Sequence, residues 1–135
     1  DIILNEPLMA QLQLTEEQVA QQWAKVRDEL TQRNRRLRGE RAMPELSGKT
    51  VILVDDGLAS GYTMKAALFM VKKRKAGKTV VAVPTSPKRT IDALADGPDE
   101  IYCANIRETQ AFAVAETYQN WYDISEEEVV AMLEG

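Results

Sequence analysis

The sequence predicts an α/β fold, a parallel sheet flanked by helices, with one long polar helix ahead of it. Three observations carry this. Short apolar runs at Thr50–Val54, Thr79–Val83 and Glu100–Cys103 alternate with segments of helical period. A capping box, Thr15-Glu16-Glu17-Gln18, opens a long and mostly polar helical stretch. Two carboxylates, Asp55 and Asp56, stand where the first run must end. In open α/β sheets that end of a strand is where ligands sit.

Each element follows from its local pattern. Ile2-Ile3-Leu4 reads as a short strand or the end of one. The helix from Thr15 places Val19, Trp23, Val26 and Leu30, then Leu37, on a narrow stripe, and should stop near Arg38-Gly39. Val51-Ile52-Leu53-Val54 is the core of a buried strand. Met64–Ala76 takes helical period, and Thr79–Val83 returns to strand. Pro87–Ala95 reads as a short helix with Ser86 as cap and Pro87 at its first position. Glu100–Cys103 is a third strand, and Thr109–Gln119 is ambiguous between helix and strand. Ser125-Glu126-Glu127-Glu128 caps a last helix through Leu133. With 135 residues the whole stretch 1–135 is expected to be a single domain.

Composition narrows the function classes. An apolar fraction of 44% is ordinary for a globular protein, and no apolar run approaches the roughly 18 residues of a membrane span. The single cysteine, Cys103, excludes an internal disulfide and suits a reducing compartment, so a cytoplasmic location is expected. With no histidine and one cysteine a zinc site is not expected, and any metal should be Mg²⁺ or Mn²⁺ held by oxygen. The net charge of −4 is uneven: residues 48–90 carry nine Lys/Arg against two Asp, and residues 91–135 carry one Arg against eleven acids. The basic stretch suits a polyanionic ligand. Arg33, Arg35, Arg36, Arg38 and Arg41 lack interleaved aromatic residues in an acidic chain, so no nucleic-acid partner is expected.

The most informative residues run from Val51 to Thr63. After the strand come Asp55, Asp56 and Gly57, then Ala59-Ser60-Gly61-Tyr62-Thr63, and then a helix. A glycine-bearing loop that opens a helix gathers backbone N–H groups where the helix dipole favours an anion. The two carboxylates cannot face that anion themselves. They suit sugar hydroxyls or a divalent cation.

This stretch resembles the phosphoribosyl-pyrophosphate motif of type I phosphoribosyltransferases. Ile3-Leu4-Asn5-Glu6, Arg38-Gly39, Leu46-Ser47-Gly48-Lys49-Thr50, Val81-Ala82-Val83-Pro84 and Trp121-Tyr122 resemble a bacterial and archaeal subgroup of the same family. The resemblance implies a type I phosphoribosyltransferase fold and transfer of ribose 5-phosphate from phosphoribosyl pyrophosphate to a small-molecule acceptor such as a nucleobase. It implies that Asp55 and Asp56 are catalytic, hold the ribose 2′ and 3′ hydroxyls, and contact Mg²⁺ directly or through water. Gly57 would belong to the same site, and Ala59, Ser60, Gly61, Tyr62 and Thr63 would wrap the 5′-phosphate. Thr85, Ser86, Trp121 and Tyr122 would lie toward the acceptor. A homo-oligomer is expected. The alternative is a catalytically silent ligand-sensing or assembly module.

Rival motifs fit less well. A Walker A loop needs Lys after its glycine, and Tyr62 follows Gly61. An aspartyl-phosphate phosphatase would separate its two Asp by one residue. A receiver domain would need a later strand-end Asp and a Lys beyond it, and no Lys follows position 88. Two residues depart from the resemblance. Ala59 stands where 6-oxopurine enzymes usually have a carboxylate, and Tyr62 is bulky where the family mostly has a small residue. The Pro-Arg-Gly-Gly pyrophosphate loop of the family does not occur. A C-terminal portion of a longer domain, or a truncated paralogue, is therefore expected.

Overall fold

The computed structural model describes residues 2–134. Its elements are α1 (Glu6–Gln11), α2 (Glu16–Arg38), β1 (Thr50–Val54), α3 (Tyr62–Lys73), β2 (Lys78–Pro87), α4 (Lys88–Leu94), β3 (Glu100–Arg107), a 3-10 turn (Val114–Thr117) and α5 (Glu126–Glu134). The chain divides into two compact units. One is Glu45–Trp121 with the residues up to Ile3, and the other is Leu4–Pro44 with the residues from Tyr122 onward.

The first unit is an α/β sheet with flanking helices. Its strands lie in the order β1-β2-β3, and both pairs are parallel. Val51 and Leu53, Thr79, Val81 and Val83, Ile101 and Cys103 alternate onto one face. Against that face α3 brings Met64, Leu68 and Val71, one helical stripe at three- and four-residue spacing. Leu58, Met64, Leu68, Val81, Val83 and Leu94 form the buried core, with Leu53, Ile91, Ile101 and Cys103 packed on it. Full burial of each large apolar side chain stabilises the fold by about 1.5–3 kcal/mol. On the other face Ile52, Val54 and Tyr102 are exposed, so β1, expected from its apolar run to be a buried strand, is covered on one face only. At the amino end of β2, Asp99 accepts from the Thr79 N–H at 2.6 Å and from its hydroxyl at 2.8 Å. Those two bonds hold the Asp99 carboxyl below its ordinary value.

The second unit is helical and has another physical basis. No residue of α1 or α2 is buried. Thr15 caps α2 through the Gln18 N–H at 3.2 Å, and the Gln18 side chain accepts from the Thr15 N–H at 2.9 Å. Ser125 and Glu128 make the same reciprocal pair at the start of α5. Glu126 pairs with Arg33 at 2.9 Å and with Arg36, and these cations hold its carboxyl below the usual range. Arg38 and Arg41 donate to carbonyls of Ala42, Leu37 and Arg38. Four of the five clustered arginines thus have partners among the described residues, two of them across to α5 and two on nearby carbonyls.

Several elements differ from the sequence reading. Residues 2–4 form no strand. Asn5 caps the unforeseen α1 by accepting from the Leu8 N–H. The strands β2 and β3 run past Val83 and Cys103, because Thr85, Ser86 and Pro87 pair with Asn105, Ile106 and Arg107. Ser86 is therefore a buried strand residue and not a helix cap. Its hydroxyl donates to the Pro87 carbonyl, and Pro87 itself precedes α4. The helix α3 begins earlier, at Tyr62, and stops at Lys73, where Lys75 turns to a φ of 60°. The ambiguous stretch after Thr109 is irregular apart from the 3-10 turn.

Candidate active site

The strand β1 ends at Val54, and Asp55 and Asp56 follow at its carboxyl end, next to β2, which runs on to Pro87. Asp56 is exposed and Asp55 half-buried. Burial pushes the Asp55 carboxyl above its ordinary value. The Asp56 N–H opposes this by donating to Asp55 Oδ1 at 3.0 Å, and the neighbouring Asp56 charge reinforces it. A carboxylate in that state favours whatever brings donors or positive charge to it.

The loop from Gly57 to Gly61 is held from three sides. The Leu58 N–H donates to the Thr85 carbonyl at 3.0 Å, tying the loop to β2. The Thr90 hydroxyl of α4 donates to the Ala59 carbonyl at 2.6 Å. The Tyr118 hydroxyl donates to the Asp56 carbonyl at 2.6 Å. In a trans peptide the N–H points away from the preceding C=O. The carbonyls of Ala59 and Asp56, turned toward Thr90 and Tyr118, therefore leave the N–H groups of Ser60 and Gly57 facing the opposite way.

Two glycines are required here for different reasons. Gly61 sits at φ 78°, and a Cβ there would lie 2.8 Å from Thr90 Cγ2. Gly57 has no left-handed φ. A Cβ on it would lie 2.8 Å from Val114 Cγ1 and 3.0 Å from Thr85 Cγ2, so close approach decides that position. Gly61 is the N-cap of α3 and provides no side-chain cap. Among the described residues no protein acceptor serves the N–H groups of Ala59, Ser60, Gly61, Tyr62 or Thr63. Ser60 and Thr63 are exposed. A run of unfilled donors at the start of a twelve-residue helix is a site for an anion. Tyr62 is half-buried, and the Lys65 ammonium lies 5.0 Å from its ring centroid.

Of the residues singled out by sequence, Asp55, Asp56, Gly57, Ala59, Ser60, Gly61, Tyr62 and Thr63 form this continuous turn. Thr85 and Ser86 are buried in β2 below it. Thr85 Oγ1 accepts from Asn105 at 3.5 Å, and the Ser86 hydroxyl is held by Pro87. Trp121 is exposed in the sheet unit, its ring edge-on to Tyr118 with centroids 5.2 Å apart. Tyr122 is exposed and belongs to the helical unit. Sequence reasoning missed Thr90, Val114 and Tyr118. Their contacts with the loop span about thirty to sixty residues, and no local pattern marks them.

The family model of the phosphoribosyl transferase domain matches residues 5–121. The chain belongs to this family. Two proteins of Mycobacterium tuberculosis are similar to it. “Putative phosphoribosyl transferase MT0597” of strain CDC 1551 / Oshkosh is 38% identical over 106 residues, 78% of this chain. Rv0571c of strain ATCC 25618 / H37Rv, named in the same words, matches to the same extent. The match takes in 24% of each, so this chain spans about a quarter of the length of those curated relatives. Among solved structures, TT1426 from Thermus thermophilus superposes with a TM-score of 0.75 at 30% identity, over 93% of this chain and 59% of that one. Fold and family agree with the type I phosphoribosyltransferase resemblance. No helix among the described residues is long and apolar enough to cross a membrane.

Proposed function

We propose that this chain binds phosphoribosyl pyrophosphate at residues 55–63 and transfers its ribose-5-phosphate group to a small-molecule acceptor, a nucleobase being the leading class. The observation that carries the reading is the pairing of two carboxylates with a run of unfilled N–H groups across one short turn. A phosphate needs the donors. A vicinal diol needs acceptors, which Asp55 and Asp56 supply. The 5′-phosphate would rest on the N–H groups of Ala59 to Thr63, helped by the Ser60 and Thr63 hydroxyls, with the 2′ and 3′ hydroxyls donating to the carboxylates.

In the reaction an acceptor nitrogen forms a bond to the anomeric carbon as the bond to pyrophosphate breaks and the leaving oxygen keeps the electron pair. The sugar passes through oxocarbenium character, as in glycoside cleavage. Carboxylates beside that ring stabilise the developing positive charge, and the clamped loop fixes its position. Asp55 and Asp56 also fit Mg²⁺. No cluster of three or more metal-binding side chains occurs among the described residues, but Mg²⁺ takes one or two carboxylates and completes its shell with water and ligand phosphate oxygens. When bound there, it would neutralise charge on the departing pyrophosphate.

Trp121 is the flat surface of the sheet unit available for an aromatic acceptor; Thr85 and Ser86 are buried and would act only by supporting the turn, and Tyr122 lies in the helical unit. Homo-oligomerisation belongs to the same reading and is supported by Ile52, Val54 and Tyr102, apolar groups exposed on a parallel sheet. A cytoplasmic setting is part of it too. A second reading, a module that holds the same ligand without turnover, is favoured by Ala59, whose methyl offers no acid to an acceptor. Pyrophosphate release from phosphoribosyl pyrophosphate, measured with Mg²⁺ and a panel of purine and pyrimidine bases, separates the two. Base-dependent release supports the transferase. Ligand binding with no release from any base supports the silent module.

A further inference from the structure

We propose that Tyr118 is a positioning residue that couples the carboxylate pair to the aromatic end of the 114–121 segment. The inference rests on the phosphoribosyl reading and adds a device to it. Its hydroxyl donates to the Asp56 carbonyl at 2.6 Å, at the short end for a neutral hydroxyl bond. One residue on, Gly57 is packed so closely against Val114 that a Cβ would overlap its side chain. The segment therefore grips the Asp56–Gly57 peptide at two points, one polar and one apolar.

The segment is also internally stiff. The Thr117 hydroxyl donates to the Val114 carbonyl at 2.7 Å, and the Tyr118 N–H donates to the Ala115 carbonyl at 3.3 Å. Trp121 then sets its ring edge-on to Tyr118 at 62°, a geometry favoured by aromatic quadrupoles. A shift of Trp121 is thus transmitted through Tyr118 to the backbone that aims Asp56. Such coupling is reciprocal: a ligand that orders the carboxylates must alter the surroundings of Trp121, and a planar molecule against Trp121 must alter affinity at the carboxylates.

The test uses the full chain carrying Trp23→Phe, which leaves Trp121 as the single tryptophan. Ribose 5-phosphate with Mg²⁺ is titrated while calorimetric heat and tryptophan emission are followed. In Tyr118→Phe the ring and its contact with Trp121 remain and only the hydroxyl is lost. We expect binding about five- to tenfold weaker, the scale of one hydrogen bond, with the emission response abolished and the thermal midpoint close to that of the parent. Equal affinity and an equal emission response in Tyr118→Phe would overturn the coupling and leave the phosphoribosyl reading standing. No binding by the parent chain would remove that reading, and the coupling with it.

Discussion

The sheet unit and the helical unit are stabilised in opposite ways. In the sheet unit, Leu94 is 2% exposed and Val81 fully buried, and the loop that carries the candidate site rests on the same core. In the helical unit, α2 runs 23 residues without one buried side chain. It depends on a capping box and on surface ion pairs, which contribute little individually. The difference teaches where precision is available. A loop needing a fixed array of N–H groups is placed where buried side chains over-determine it, and Gly61 shares its space with Thr90 and Leu94 directly.

The largest expected effect comes from attacking that core. Leu94→Ala should destabilise the sheet unit by about 2–5 kcal/mol, measured by urea denaturation, because the site cannot collapse without disturbing Gly61. The matched change in the other unit, Leu30→Ala, removes a side chain that is 54% exposed and should stay within about 0.5 kcal/mol of native. Comparable losses from both would break the contrast between the units.

Gly57→Ala comes next, at about 1–3 kcal/mol, since the new methyl must displace Val114 or Thr85. It should weaken ribose 5-phosphate binding as well, because the displaced segment is the one that holds the Asp56 carbonyl. Unchanged affinity in a folded variant would show that the close packing there serves stability alone. Thr15→Ala is the smallest, about 1 kcal/mol. Circular dichroism should record the loss as reduced helicity from fraying of α2, with ribose 5-phosphate affinity unaffected.

How much was legible in the sequence follows from the same physics. The strand β1, the capping boxes at Thr15 and Ser125, and the turn from Asp55 to Thr63 are local patterns, and each occurs where the pattern puts it. The ends of β2 and β3 were not legible. Pro84 interrupts the apolar run, yet pairing resumes at Thr85, whose polar side chain is buried against Asn105. The position of Gly57 was legible but its reason was not. It stood in the motif only as part of the turn, and the deciding factor is Val114, distant in sequence. Thr90 and Tyr118 escaped notice because a single hydroxyl reaching a carbonyl leaves no periodicity to read.

On the proposed reading, residues 55–63 form one ligand site in which the carboxylates hold a sugar and the loop holds its phosphate. Calorimetric titration of ribose 5-phosphate with Mg²⁺ into the native chain and into Asp55→Asn/Asp56→Asn tests it most directly. Stability provides the control. Burial holds the Asp55 carboxyl above its ordinary value, so its ionised form opposes folding at neutral pH, and the opposition fades as pH falls from the raised value toward the unfolded one and is absent below it. The double variant should therefore keep its thermal midpoint at neutral pH. The expected result is binding by the native chain and its loss in the folded double variant. Equal binding by both, or none by either, would contradict the claim.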